Sequence, residues 1–168
     1  GIAGINHGTL ISCQFTGVVT GDSEVGGIVG RNESEGTIDH STARAIVTGK
    51  SSTGGIAGYN LGAITGCTNV GSINTEYQEA SLDTDGFTAK MVDYINNKMA
   101  AANDDATNSV TNVATDTGGI AGRSSGMILT SVNTGTIGYE HVGYNVGGIV
   151  GRTDGLVSGC VNQGRVLR

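Results

Sequence analysis

The chain of 168 residues contains 30 glycines, five tyrosines, two phenylalanines and neither proline nor tryptophan, and its net charge is −6. A collagen is excluded because the glycines lack a three-residue period, and apolar residues that recur in register argue against disorder. The acidic balance argues against nucleic acid or an anionic membrane surface as the main partner, and the sequence has no apolar run of about 18 residues for membrane insertion.

Five repeat units run along the chain, each marked by a Gly-Ile-(Ala/Val)-Gly phrase. The phrases begin at Gly1, Gly27, Gly55, Gly119 and Gly148. Aligned on them, with a two-residue insertion in the second unit, branched residues form three columns: Ile2/Ile28/Ile56/Ile120/Ile149, Leu10/Ile38/Ile64/Ile128/Val157 and Val19/Val47/Ile73/Ile137/Val166. A repeat of roughly 20–50 residues is typical of solenoids, in which one unit buries its apolar face only against a neighbour.

This pattern predicts an all-β fold, a parallel β-solenoid of about five coils that we expect to be a right-handed β-helix. Short strands would stack at about 4.8 Å with the three columns inside. The glycines would form the corners, because glycine reaches positive φ without steric cost. We expect coils 1–3 in residues 1–74 and coils 4–5 of the same domain in residues 117–168.

Polar stations recur in the same register. Asn6, Asn32 and Asn60 align at one corner and Asn69, Asn133 and Asn162 at another, which predicts two ladders of amide hydrogen bonds. The three cysteines, Cys13, Cys67 and Cys160, share a station with Ser41 and Ser131. Cysteines two coils apart would be about 9–10 Å apart, too far for a disulfide, so we expect small buried thiols.

Residues 75–116 interrupt the pattern, and apolar residues at three- and four-residue intervals predict one amphipathic helix at about 86–103. This insertion either covers the solenoid core or contributes to binding. Asp83-Thr84-Asp85-Gly86 resembles the middle of a calcium loop, but Ser81 and Val92 stand at its end positions, which favours helix capping. We therefore expect no metal and no cofactor.

An outward column follows the anchor phrases and supplies the candidate ligand-binding residues. It comprises Ile5, Arg31, Tyr59, Arg123 and Arg152. Arg123 and Arg152 next to Tyr59 could hold a carboxylate, a sulfate or a sugar; the alternative is solvated surface charge. We predict no catalytic residue, because Ser124 in the Gly-x-Ser-x-Gly stretch at 122–126 aligns with turn residues of the other units.

The units resemble the GLUG motif, most clearly at Gly54-Gly55-Ile56-Ala57-Gly58-Tyr59-Asn60-Leu61-Gly62-Ala63-Ile64 and on through Cys67, Gly71 and Ile73. The resemblance covers about three quarters of the chain. It implies a bacterial secreted or cell-surface protein, since the family includes adhesin-like proteins and non-catalytic regions of IgA-specific metallopeptidases. It transfers no catalytic residue.

From these features we expect a non-catalytic structural and adhesion module, extracellular or on a bacterial cell surface, with a host glycan or extracellular protein as its partner. One alternative is a substrate-positioning arm of a large secreted peptidase. Another is a carbohydrate-active β-helix enzyme, which would need an acidic cluster that the columns lack. No secretory signal is visible, and neither end has a polar cap, so we expect the units to belong to a longer parent chain.

Overall fold

A computed structural model describes residues 1–76, 114–139 and 143–167 of the chain. Those residues form 22 short strands in four parallel sheets, and they contain no helix. The predicted helix at about 86–103 and the Asp83 to Gly86 stretch lie outside the described residues.

The strands belong to four sheets, which we call A to D. Sheet A contains β1 (Ala3–Asn6), β5 (Val29–Asn32), β9 (Ala57–Asn60), β14 (Ala121–Ser124) and β19 (Val150–Thr153). Sheet B contains β2 (Thr9–Ile11), β6 (Thr37–Asp39), β10 (Ala63–Thr65), β15 (Met127–Leu129) and β20 (Leu156–Ser158). Sheet C contains β3 (Gln14–Thr20), β7 (Thr42–Thr48), β11 (Thr68–Asn69), β12 (Ser72–Ile73), β16 (Val132–Asn133), β17 (Thr136–Ile137), β21 (Val161–Asn162) and β22 (Arg165–Val166). Sheet D contains β4 (Ser23–Gly26), β8 (Ser51–Gly54), β13 (Ala114–Gly118) and β18 (Gly143–Gly147).

Sheets A, B and C therefore each have five strand levels and sheet D has four, which makes about four complete turns. The predicted all-β parallel solenoid is confirmed. Strand β13 pairs with β8 of the third coil and with β18 of the fifth, so the repeats on either side of the long interruption are neighbours in the stack. The right-handed sense of the coil stays a prediction.

The three predicted inward columns are present in register. Ile64 pairs with Ile38 and Ile128, and Ile73 pairs with Val47 and Ile137. The first column is held by backbone bonds, such as the 2.9 Å bond from the Ile56 N–H to the Ile120 carbonyl. In the inner coils these side chains are fully buried, and each contributes about 1.5–3 kcal/mol of apolar burial.

The repeated glycines have a different role from the one predicted. The anchor-phrase glycines have no positive φ in the described chain; instead, the last glycine of the phrase in coils two to five, and the glycine just before the phrase, lie where sheets A and D approach closely. A Cβ at Gly58 in sheet A would overlap the backbone of Glu24 and Val25 in sheet D, and a Cβ at Gly54 would overlap the backbone of Ala57 and Ala121. The expectation that these glycines supply positive φ at corners is therefore wrong, because they are needed for space.

The left-handed backbone occurs at another station, mostly in residues with side chains. The corner between sheets B and C is left-handed in all five coils, with φ from 48° to 66°, at Ser12, His40, Gly66, Thr130 and Gly159. A second left-handed column lies in sheet D, at Glu24, Ser52, Asp116 and Asn145. Single residues can occupy this region where the surrounding structure determines the backbone, at a cost of order 1–3 kcal/mol each. Stacked strand pairing above and below these corners provides that determination.

Candidate functional site

The outward column of sheet A brings the predicted ligand-binding residues together. Arg123 lies opposite Tyr59 on one side and opposite Arg152 on the other. Tyr59 in turn lies opposite Arg31. Tyr59, Arg31 and Arg123 are half-buried and Arg152 is exposed, whereas the asparagine or serine that follows in the three inner strands is buried. The predicted juxtaposition of Tyr59, Arg123 and Arg152 is therefore present, and Arg31 joins it.

Tyr59 is held between two guanidinium groups. Its ring centroid is 5.3 Å from the Arg31 Cζ and 5.2 Å from the Arg123 Cζ, and these arginines come from the strands on opposite sides of β9. Each cation–π contact at such a site is worth about 0.5–1 kcal/mol. The Tyr59 hydroxyl is also 3.2 Å from the Ser125 Oγ. Because arginines cover both ring faces, Tyr59 positions Arg123 and does not offer a free surface for stacking on a sugar.

Arg31 is neutralised by two carboxylates. Its Nη1 donates a hydrogen bond of 3.1 Å to the Glu24 Oε1. Its Nε lies 2.9 Å from the Glu33 Oε1, an ion pair whose N–H direction is not aligned for a hydrogen bond. Glu24 is one of the left-handed residues of sheet D. This end of the column is therefore closed to an external anion.

Arg123 and Arg152 lack such partners in the part of the chain that the structure describes: neither forms an ion pair there. Asp116 occupies the same station of sheet D as Glu24, two coils further along the stack, and each of these acidic residues precedes its arginine by seven residues. However, its Oδ1 accepts a hydrogen bond of 2.7 Å from the Asn145 Nδ2. The aspartate is buried and engaged with the next coil. Arg123 and Arg152 thus form an open pair of cationic groups.

The two predicted asparagine ladders are confirmed as structural features. In one, the Asn6 Nδ2 donates to the Asn32 Oδ1 and the Asn32 Nδ2 to the Asn60 Oδ1, both at 2.9 Å. In the other, Asn133 joins Asn69 and Asn162 through bonds of 2.8 Å. The same amides bond backbone groups two residues on, as in the bond from the Gly135 N–H to the Asn133 Oδ1. Their hydrogen-bonding capacity is used within the stack rather than for a ligand.

The cysteines are free thiols, as predicted, although only Cys67 is fully buried. Burial raises the pKa of Cys67 to about 11, so this thiol is protonated and unreactive at neutral pH. Its Sγ lies 3.5 Å from the carbonyl oxygens of Ile38 and Thr65. Cys13 and Cys160 are half-buried at the two ends of the same column.

The serine of the Gly-x-Ser-x-Gly stretch belongs to a ladder. Ser124 is fully buried, and its Oγ accepts a hydrogen bond of 3.2 Å from the Asn60 Nδ2. It therefore continues the first asparagine ladder, as its alignment with turn residues indicated. His7 and His40 are exposed and contact Glu35 and Asp39. Among the described residues, no group of three or more metal-ligating side chains comes together, and no helix is long and apolar enough to cross a membrane.

Sequence reasoning placed Arg31 in the outward column but did not include it among the site residues, and it missed Glu24, Glu33 and Ser125. One signal was available for Glu24: it precedes Arg31 by seven residues, and Asp116 precedes Arg123 by the same interval. Only the close approach of sheets A and D in the structure shows that this interval brings Glu24 into contact with Arg31.

The described residues define the class of the protein, a parallel β-solenoid assembled from short repeats. Residues 21–48 match the family model described as the GLUG motif, which is a non-catalytic repeat. This stretch comprises β4 to β7, one full turn through sheets D, A, B and C. No curated protein and no solved structure matches the chain.

Proposed function

We propose that this chain is a non-catalytic structural and adhesion module of a secreted or bacterial cell-surface protein, and that sheet A binds a host glycan or an extracellular protein. The fold and the repeat support a structural role, because stacked coils make a long surface from few residue types. The open pair of Arg123 and Arg152 carries the binding part of the proposal. Two neighbouring arginines that form no ion pair with the described residues, in a chain of net charge −6, are a local feature that opposes the overall charge.

The geometry favours recognition of an anionic group. Guanidinium groups bind carboxylate and sulfate through paired N–H donors. Tyr59 and its contact with Ser125 reduce the freedom of Arg123, so less side-chain entropy is lost when a ligand binds. A ligand that reaches both arginines would gain two charge-assisted contacts on one rigid sheet.

An array of glycans and extracellular proteins tests this proposal. The purified chain is compared with the double variant Arg123→Ala/Arg152→Ala and with Arg44→Ala/Arg165→Ala, which removes the same charge from exposed arginines of sheet C. We expect saturable binding that the first variant loses by at least about tenfold and the second retains. Equal binding by all three chains would contradict a role for sheet A.

A further inference from the structure

The outward column of sheet A has one closed end and one open end. At the closed end, Glu24 and Glu33 occupy the guanidinium of Arg31. At the open end, Arg123 and Arg152 lie in register on neighbouring strands, without an ion pair in the described residues. Tyr59 separates the two ends and contacts an arginine of each.

The direction of the column sets the shape of a ligand that could use it. Neighbouring strands lie about 4.8 Å apart, so the backbone positions of Arg123 and Arg152 are separated along the solenoid axis by about that interval. Same-side residues of an extended peptide recur at roughly 6.6–6.8 Å, which exceeds this interval. In a linear glycan with one anionic group on each pyranose unit, the charges recur once per sugar ring. That interval along the glycan is close to one strand spacing. The column therefore fits a linear acidic glycan better than an extended acidic peptide.

Resting on the proposed function of sheet A, we propose that the ligand is a linear anionic glycan that runs parallel to the solenoid axis. The carboxylate or sulfate groups of two adjacent units contact Arg123 and Arg152. Glu24 and Glu33 end the site, because their carboxylates occupy the next arginine in the column and repel a further anionic unit. The binding site therefore spans two charged units.

Oligogalacturonates of one, two and four units test this proposal by titration calorimetry at low ionic strength. For the unmodified chain we expect affinity to rise about two- to fivefold from one unit to two, and to change little from two to four, since each exposed charge pair contributes a modest amount. In Glu24→Gln/Glu33→Gln, Arg31 is released, and we expect the four-unit ligand to bind about two- to fivefold more tightly than the two-unit ligand.

A matched control removes two carboxylates elsewhere. Glu35→Gln/Asp39→Asn changes the net charge equally but alters residues that contact His7 and His40, so its length dependence should match that of the unmodified chain. An equal gain in this control would overturn the role of Glu24 and Glu33, because the effect would then be general charge.

Three further results would overturn the inference. Failure of the unmodified chain to bind both the oligogalacturonates and a sulfated pyranose oligomer with the same number of charges would exclude the glycan class. Affinity independent of length in every variant, with binding still lost in Arg123→Ala/Arg152→Ala, would show a site for a single anion; the proposed function of sheet A would then stand without this ligand. Tighter binding of an oligoglutamate with the same number of charges would indicate an acidic peptide partner.

Discussion

Buried asparagines connect the coils of this solenoid one amide at a time. Asn133 is fully buried; its Nδ2 donates to the Asn162 Oδ1, and its Oδ1 accepts from Asn69 and from the Gly135 N–H. An amide side chain that bonds both the neighbouring asparagines and the backbone of its own turn leaves few buried polar groups without a hydrogen bond. Each such amide therefore contributes more through the groups it satisfies than through one net hydrogen bond.

Asn133→Ala is expected to lower the free energy of unfolding by about 2–4 kcal/mol, because it removes the short bond from the Asn69 Nδ2 and leaves the Gly135 N–H buried without a partner. Asn162→Ala serves as the control, since Asn162 is exposed at the end of the same ladder and water can replace its bonds. We expect this variant to lose less than about 1 kcal/mol. Urea denaturation followed by circular dichroism compares them, and equal losses would contradict the ladder as a source of stability.

The Cys67 thiol predicts a pH dependence of stability. Its pKa in the folded chain is about 11, against an ordinary value of 9.0. The folded state therefore holds the proton more tightly, so this contribution is complete below pH about 9 and is lost as the pH rises towards about 11. The loss amounts to about 1–3 kcal/mol.

Cys67→Ser isolates that contribution, because serine occupies the same station at Ser41 and Ser131. The stability difference between the unmodified chain and this variant should be constant up to about pH 8.5 and then shift in favour of the variant by pH 11. Cys160→Ser is the control for a half-buried thiol in the same column. A stability difference that stays constant across this pH range would show that burial does not raise the pKa of Cys67.

At the scale of elements, sheet C shows how one station changes a strand. In the first two coils β3 and β7 are continuous strands of seven residues. Phe15 and Ala43 stand there at the position that Asn69 occupies in the third coil. In the later coils an asparagine stands there and bonds the glycine two residues on, as Asn69 bonds Gly71. The local hydrogen bond from the asparagine side chain competes with the backbone hydrogen bonds of the sheet. Each long strand is therefore divided into two short ones.

The packing of sheet A on sheet D gives a matched pair of glycine substitutions. Gly58→Ala places a Cβ into the backbone of Glu24 and Val25. Gly4, at the same station of the first coil, has nothing within 4 Å of the corresponding position. We expect Gly58→Ala to cost at least about 3 kcal/mol and Gly4→Ala to stay within about 0.5 kcal/mol of the unmodified chain, since main-chain overlap is not relieved by a rotamer change. Denaturation midpoints measure both, and a tolerated Gly58→Ala would refute the close approach of the two sheets.

For the whole molecule, periodicity predicted the columns, the asparagine ladders and the neighbours of Tyr59, because a fixed repeat sets which residues align whatever the details of the coil. It did not predict the reason for the glycines, which depends on how closely two sheets approach. Nor did it predict the left-handed residues: His40 and Thr130 share their station with Gly66, and no composition rule distinguishes them. The pairing of Glu24 with Arg31 was missed for the same reason, since it crosses from one sheet to the next.

The stacking of all five repeats in register places Tyr59, Arg123 and Arg152 on successive strands of sheet A, so the binding face depends on it. Thr9, Thr37, Ala63, Met127 and Leu156 form one continuous register across sheet B. Thr9 and Leu156 are therefore four strand spacings apart, about 19 Å at about 4.8 Å for each spacing.

The most direct measurement is the distance between spin labels at positions 9 and 156, by double electron–electron resonance in a chain whose three cysteines are replaced by serine. A continuous stack predicts a single distribution centred near 19 Å, with a width set by the label linkers. A distribution centred beyond about 30 Å, or one without a defined maximum, would contradict a continuous stack and with it the arginine face of sheet A.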